Sequence, residues 1–292
     1  MKYNKSSFKN NLRTYIKEKI FQKTGYYIYP QFRVARDFNF DDGYLKFGEN
    51  GKFINIGAGE YFYHNKWRNY DLYEEYLVKN VPHFFNYDLR DAKNNPFPEK
   101  NVDMFYCSHT LEHAPSNSID MIIKRLYESL KPGGVLRIIV PDADLVLNAY
   151  DNNDYEFFLP YKSWFEKRED GRDVLIEDYL VQLIATPKCR FYKEQIRHHS
   201  QLTIEEIRKN RSVMERNEFL DYLVSGLNNN NNYGTDHLNW FDSEKLMDIL
   251  TNAGFSEVYK SAFGQSKELI MRQVPIFDET LPYLSLFVEA RK

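Results

Sequence analysis

Phe53-Ile54-Asn55-Ile56-Gly57-Ala58-Gly59-Glu60 is the stretch whose reading decides the fold. An apolar run stops in a Gly-x-Gly turn, and acids follow at Asp71 and Asp88. A short buried strand ending in glycines reads as the first strand of an open α/β sheet. In such sheets a ligand sits beyond the carboxyl ends of the strands, where these glycines lie.

Outward from that turn the pattern repeats. Arg68 to Leu72 reads as a short second strand containing Asp71, His83 to Tyr87 as a third running into Asp88, and Val102 to Cys107 as a fourth. Ile119, Ile122, Ile123, Leu126 and Leu130 recur at helical spacing, and Lys131-Pro132-Gly133-Gly134 stops that helix. Val135 to Val140 is the apolar run expected of a strand buried on both faces. Strands alternating with helices predict a doubly wound, largely parallel sheet.

From Asp151 to Gly234 the texture changes to mixed aromatic and charged residues, with Thr203 to Leu227 helical and Asn228 to Asn232 a polar linker. This is a helical insertion. Afterwards Ser243 is expected to cap a helix carrying Leu246, Met247, Ile249 and Leu250, which Gly254 ends. Phe255 to Ala262 and Leu284 to Ala290 read as the last strands. The leader is basic (Lys2, Lys5, Lys9, Arg13, Lys17, Lys19, Lys23), with Leu12, Ile16 and Ile20 spaced for an amphipathic helix. Packing over the main domain is its expected role, and contact with a membrane surface the sharper alternative.

The chain has 292 residues, enough for a substantial core. Aromatic residues make up 16%, which allows an aromatic-lined pocket besides the core. A formal charge of −3 argues against general nucleic-acid binding. Cys107 and Cys189 stand far apart, so neither a disulfide framework nor a cysteine-rich zinc site is expected. No apolar stretch is long enough to span a bilayer, and Met1 to Lys5 lack a signal peptide's apolar core. A soluble cytoplasmic protein is expected.

The turn itself narrows the ligand. The dinucleotide fingerprint would place a third glycine at Phe62, where it helps seat a pyrophosphate on a helix start. Its absence favours a nucleoside cofactor without a diphosphate over NAD or FAD. Asp71 at a strand end suits two ribose hydroxyls, although it follows the glycines sooner than usual. Asp88 is placed to meet an adenine amino group, with Asp91 as its rival.

Asn55-Ile56-Gly57-Ala58-Gly59, Asn69-Tyr70-Asp71 and Asn95-Pro96-Phe97-Pro98 before Val102-Asp103 resemble the class I S-adenosylmethionine-dependent methyltransferases, of the type 11-like domain. Ser108-His109-Thr110-Leu111-Glu112-His113, Leu130-Lys131-Pro132-Gly133-Gly134-Val135-Leu136, Ala253-Gly254-Phe255 and Leu286-Phe287-Val288-Glu289-Ala290 match in order and place. The resemblance implies a Rossmann-like α/β fold: a seven-stranded mixed sheet, its last strand antiparallel, with helices on both faces and a helical insertion. The implied parts are a leader or cap (1–48), a cofactor-binding core (49–150 and 236–292) and an acceptor-recognition insertion (151–235). S-adenosylmethionine is the implied cofactor. Gly57, Ala58 and Gly59 would line its methionine part, Asp71 with Leu72 its ribose, and Asp88 with Leu89 its adenine. Ser108 and His109 would lie beside the sulfonium. Two departures stand out: Asn55 replaces an acid common in relatives, and Tyr61 the third glycine of their turn. The implied acceptor is an oxygen or nitrogen of a small or medium molecule, with a sugar of a surface glycan or its precursor favoured by likeness to glycan-cluster enzymes, including Gly264-Gln265-Ser266.

Two rival readings remain. His109-x-x-Glu112-His113 fits an inverted zinc-peptidase motif, which needs a long helix, whereas Ala114-Pro115 follows at once; no metal is expected. A fold retained without catalysis is the other, favoured by Asn55, Tyr61 and a short first helix. Of the remaining histidines, His198-His199 lie in the insertion, and His237 lies beside Trp240 where the chain re-enters the core. His109 and His237 are the expected catalytic residues, as groups that titrate near neutrality. Asp142 after Pro141 is a further residue expected to face the pocket.

Overall fold

The computed structural model describes residue 19 and residues 42–59, 66–72, 83–91, 94, 96–162, 173–191, 201–228, 234–273 and 276–292. The chain divides into two units, residues 1–42 and 43–292. In the first, Lys19 is helical and exposed, and the rest of the amphipathic pattern lies outside the described residues. So do Glu60, Tyr61, Phe62, Asn95 and His198-His199. No helix among the described residues is long and apolar enough to cross a membrane.

The second unit is built on one seven-stranded sheet. Its strands are β1 (Phe53–Ile56), β2 (Trp67–Asp71), β3 (Phe84–Asn86), β4 (Val102–Ser108), β5 (Leu130–Pro141), β6 (Glu257–Lys260) and β7 (Ser285–Arg291). Their order is β3-β2-β1-β4-β5-β7-β6. β1 to β5 run parallel, and β7 lies antiparallel between β5 and β6. This is the expected Rossmann-like mixed sheet. The strand order reverses at β1, whose neighbours are β2 and β4, so a crevice opens beyond its carboxyl end.

Strand periodicity sorts the side chains onto two faces. Ile54, Ile56, Phe105, Cys107, Ile138, Val140 and Val288 pack with Ile122 and Leu126 of α1 (Ser116–Ser129). The same cluster takes in Leu246 and Leu250 of a later helix, Ser243–Asn252. The other face gathers Phe53, Trp67, Met104, Tyr106, Ile139 and Phe287 under Tyr44, Ile270, Met271 and Phe277. Among the described residues this second face is covered by aromatic side chains and a single 3-10 turn (Leu269–Arg272), not by a long helix.

The chain after β5 builds a second core. Here lie α2 (Ala143–Asp151), α3 (Tyr155–Phe158), α4 (Ile176–Ile184), α5 (Ile204–Val213) and α6 (Arg216–Val224). Val146, Phe158, Leu180, Ile184, Phe219 and Leu223 share a cluster with Trp240 and Leu284. The expected Thr203–Leu227 helix is thus two helices, broken at Met214 and Glu215. Thr203 and Glu206 close a reciprocal capping box that starts the first of them.

Three boundaries differ from expectation for local reasons. Asp242, rather than Ser243, caps α7 (Ser243–Asn252), its carboxylate accepting from the Lys245 N–H at 2.8 Å. β5 begins at Leu130, not Val135, because Leu130 pairs with Val102 before an irregularity in the ladder. Asp142 is the cap of α2, accepting from the Asp144 N–H at 3.0 Å, which commits the carboxylate expected to face the pocket.

A buried ion cluster fastens the antiparallel edge. Arg137 on β5 is fully buried. It donates from Nε to Asp278 Oδ1 (3.0 Å), from Nη2 to Asp278 Oδ2 (2.5 Å) and to the Ala262 carbonyl (3.2 Å). From Nη1 it reaches Glu289 (3.3 Å) and Ser261 Oγ (3.3 Å). All five guanidinium donors are thereby used, and the Asp278 N–H donates to Tyr106 Oη at 2.7 Å. Removing the cation strands two buried carboxylates. Arg137→Met is expected to destabilise the chain by about 3–5 kcal/mol, read as a lowered denaturant midpoint, whereas Lys124→Met on the exposed side of α1 is expected to change it little.

Candidate functional site

β1 ends by handing its ladder to a turn. The Gly57 N–H donates to the Tyr70 carbonyl at 2.8 Å, and the chain then enters left-handed conformations at Gly57 (φ +68°) and Gly59 (φ +55°). Glycine adopts these without strain. Gly57 is also sterically confined: a Cβ there would lie 1.9 Å from Thr110 Oγ1. At Gly59 a Cβ would meet nothing within 4 Å among the described residues.

Asp71 closes the turn from the end of β2. Its Oδ2 accepts from the Gly59 N–H at 2.7 Å and its Oδ1 from the Leu72 N–H at 2.7 Å. Burial raises its pKa, and the two amide hydrogen bonds oppose that rise. A carboxylate has about four lone-pair sites, so acceptor capacity remains for two hydroxyls. Asp88 is more fully engaged: Arg90 holds it from Nε (3.0 Å) and Nη2 (3.0 Å), and the Arg90 N–H adds 2.9 Å. Leu89 is buried beside it. Asp91, its rival, accepts from Asn94 at 2.8 Å. Asn55 lies inside the sheet, donating to Asn69 Oδ1 at 3.0 Å, so its carboxamide serves the β1–β2 pair.

β4 delivers the other half of the site. Ser108 ends the strand with its Oγ buried and, among the described residues, without a hydrogen-bond partner. His109 follows at φ +50°, a left-handed conformation that is strained for a residue with a Cβ. Its N–H donates to the Ile139 carbonyl at 2.8 Å. Its Nε2 is 2.8 Å from Ser285 Oγ, and its Nδ1 is 3.2 Å from Glu112 Oε1. Leu111–His113 form a 3-10 turn, so the His-x-x-Glu-His stretch is not on the long helix a zinc peptidase requires.

The re-entering segment packs onto this turn. Leu238 N–H donates to the Glu112 carbonyl at 2.7 Å, and the rings of His113 and His237 sit 5.1 Å apart. His237 is anchored to the segment after β5. Its Nδ1 lies 2.7 Å from the Leu183 carbonyl in α4, and its N–H donates to Thr186 Oγ1 at 3.1 Å. Burial pushes the His237 pKa down to about 4 and lowers that of His113 as well. Burial works to raise Glu112, but the surrounding imidazoles outweigh it and hold the group ionised. Cys107 is no nucleophile, since burial pushes its thiol up to about 12.

Over residues 48–260 the sequence matches the model of one family, described as a methyltransferase domain. The chain belongs to that family. The match runs through the segment read as an insertion and stops before β7. No curated protein matches the chain in sequence. Solved structures similar to it include a SAM dependent methyltransferase from Archaeoglobus fulgidus, at 12% identity over 96% of this chain and 94% of that one, with a TM-score of 0.39. Another, from Mesorhizobium loti, has 13% identity over 82% and 90%, with a TM-score of 0.37. A putative O-methyltransferase from Nostoc punctiforme has 10% identity, with a TM-score of 0.36; the match covers 82% of this chain and 52% of that one.

The methyltransferase domain thus brings Gly57, Ala58, Gly59, Asp71 and Leu72 together at one turn, and His109 and His237 into one cluster with Glu112 and His113. It leaves Asn55 within the sheet and Asp88 on Arg90. Thr110 and Ser285 were not foreseen: Thr110 packs against Gly57 and donates to the Ile56 and Ser108 carbonyls, and Ser285 comes from the far end of the chain. The two glycines respond differently to the same change. Gly59→Ala is expected to cost about 1 kcal/mol from left-handed strain alone. Gly57→Ala adds a clash with Thr110 and is expected to exceed about 3 kcal/mol. Denaturant midpoints of the two variants check the order.

Proposed function

We propose that this methyltransferase transfers a methyl group from S-adenosylmethionine to an oxygen of a small or medium acceptor, a sugar hydroxyl of a surface glycan or its precursor. The observation that carries the reading is the Gly57–Gly59 turn tied to Asp71 at the switch point of the sheet. The residues fit the donor. Among the described residues a Cβ at Gly59 would meet nothing within 4 Å, Asp71 keeps lone pairs for a diol, and the Ser108 Oγ, without a hydrogen-bond partner there, faces a need for a polar neighbour. Gly57, Ala58 and Gly59 would line the methionine part, Asp71 and Leu72 the ribose, Asp88 and Leu89 the adenine.

When bound, the donor supplies a methyl group already activated by sulfonium charge, so alignment and exclusion of water are the main tasks left to the chain. Attack by the acceptor oxygen forms the C–O bond while the C–S bond breaks, its electron pair leaving on sulfur. The acceptor's proton passes to the imidazole cluster of His109 and His237. Ser285 and Glu112 hold the two ring nitrogens of His109, and Leu183 orients His237. Because α4 fixes His237, the insertion 151–235 is the natural acceptor-recognition part, with the core formed by 49–150 and 236–292.

Calorimetry with S-adenosylhomocysteine tests the donor site. The wild type is expected to bind and Asp71→Ala to bind at least about tenfold more weakly, the loss of roughly one charge-assisted hydrogen bond. Equal binding by both would remove the assignment. Transfer of labelled methyl from S-adenosylmethionine into fractionated extract identifies the acceptor; binding without transfer into any fraction would favour a non-catalytic role.

A further inference from the structure

Glu112, His113 and His237 each offer one ligand atom, and the three atoms lie within 4.8 Å of one another. The turn after β4 contributes the first two and the re-entering segment the third. Three features of the local hydrogen bonding bear on what sits between them.

Glu112 is 1% exposed; among the described residues its one near donor is His109 Nδ1, 3.2 Å from Oε1, and Oε2 has no partner. A buried carboxylate met by a single donor is costly unless the rest of its charge is met in another way. His237 has its Nδ1 on the Leu183 carbonyl at 2.7 Å. That contact makes Nδ1 the donor and leaves a lone pair on Nε2, the arrangement metal-ligating histidines adopt when a carbonyl backs the ring. His113 has a carbonyl at each nitrogen: Asp236 at 3.0 Å from Nδ1 and His109 at 3.1 Å from Nε2. A neutral ring donates through one nitrogen only. At the other, two lone pairs oppose each other, a conflict that a nearby cation relieves. The cluster is therefore rich in acceptors and poor in donors.

We propose that Glu112, His113 and His237 bind one divalent first-row transition-metal ion. Two imidazoles and one carboxylate suit such an ion and leave coordination positions open. Metal–ligand bonds of about 2 Å require the three atoms to draw closer than they stand, by side-chain rotation. The set is not the one suggested by His109-x-x-Glu112-His113. His237 takes the place of His109, whose nitrogens are turned to Glu112 and Ser285.

The role of the ion rests on the methyl-transfer reading. At an open position it would bind the acceptor hydroxyl and lower its pKa. The O–H proton would leave to solvent water, and the oxygen would take the methyl carbon as the C–S bond breaks, its electron pair staying on sulfur. No electron is exchanged with the metal. An acceptor carrying two neighbouring oxygens, such as a vicinal diol, would fill two open positions at once.

The full chain, freed of metal by a chelator, is titrated with Co2+ and with Zn2+ by calorimetry, and the Co2+ form is examined by visible absorption. One ion per chain is expected, with d–d bands that Zn2+ abolishes. Glu112→Gln and His237→Asn are expected to weaken binding at least about tenfold, with far-ultraviolet dichroism unchanged. X-ray absorption on the Zn2+-loaded wild type, which needs no variant, is expected to show two imidazoles. Absence of binding by the wild type, equal binding by both folded variants, or a shell without imidazole would overturn the site. S-adenosylhomocysteine binding measured on the same samples separates the two claims, since its loss would strike the methyl-transfer reading and leave the metal result standing.

Discussion

The carboxylate of Asp71 joins two strand ends that carry the site. One oxygen takes the N–H of Gly59 and the other that of Leu72, each at 2.7 Å. The first bond fixes the glycine turn after β1, and the second fixes the chain's exit from β2. Among the described residues neither amide has a ladder partner, so the acid satisfies both donors. A residue that holds both strand ends sets the shape of the crevice beyond β1.

From this joint the remaining architecture follows. Gly57 has no room for a side chain because Thr110 presses on it, which locks the β1 turn to the turn after β4. That second turn carries Ser108, His109, Glu112 and His113, and the re-entering segment seals it through Leu238 and His237. Arg137, at the antiparallel edge, keeps β5, β7 and the Asp278 loop together, and β7 begins with the Ser285 that meets His109. The β1–β2 joint and the turn after β4 thus hang on the ends of neighbouring strands, with α4 and the turn after it reaching the second through Leu183 and Thr186.

Much of this was legible in the residues. The apolar run ending in Gly57 announces a strand closing on a crevice, and Lys131-Pro132-Gly133-Gly134 announces a helix stop, because backbone geometry restricts what can stand there. Contacts across long separations were not legible. Nothing local to Arg137 signals Asp278, or local to His109 signals Ser285, since only the antiparallel pairing of β5 and β7 brings them together. Capping also deceived at one position: Asp242 and Ser243 both suit a helix start, and the choice depends on which side chain reaches the Lys245 N–H. Asn55 looked like a cofactor contact from its place in the motif, whereas its register opposite Asn69 pairs the two amides.

The central claim is that the Gly57–Gly59 turn and Asp71 seat the ribose and methionine parts of a sulfonium nucleoside. A crystal structure of the full chain with S-adenosylhomocysteine tests it most directly. The account predicts both ribose hydroxyls on Asp71, the adenine against Asp88 and Leu89, and the sulfur toward Ser108 and the imidazole cluster. A ligand bound elsewhere, or ribose hydroxyls held by groups other than Asp71, would contradict it.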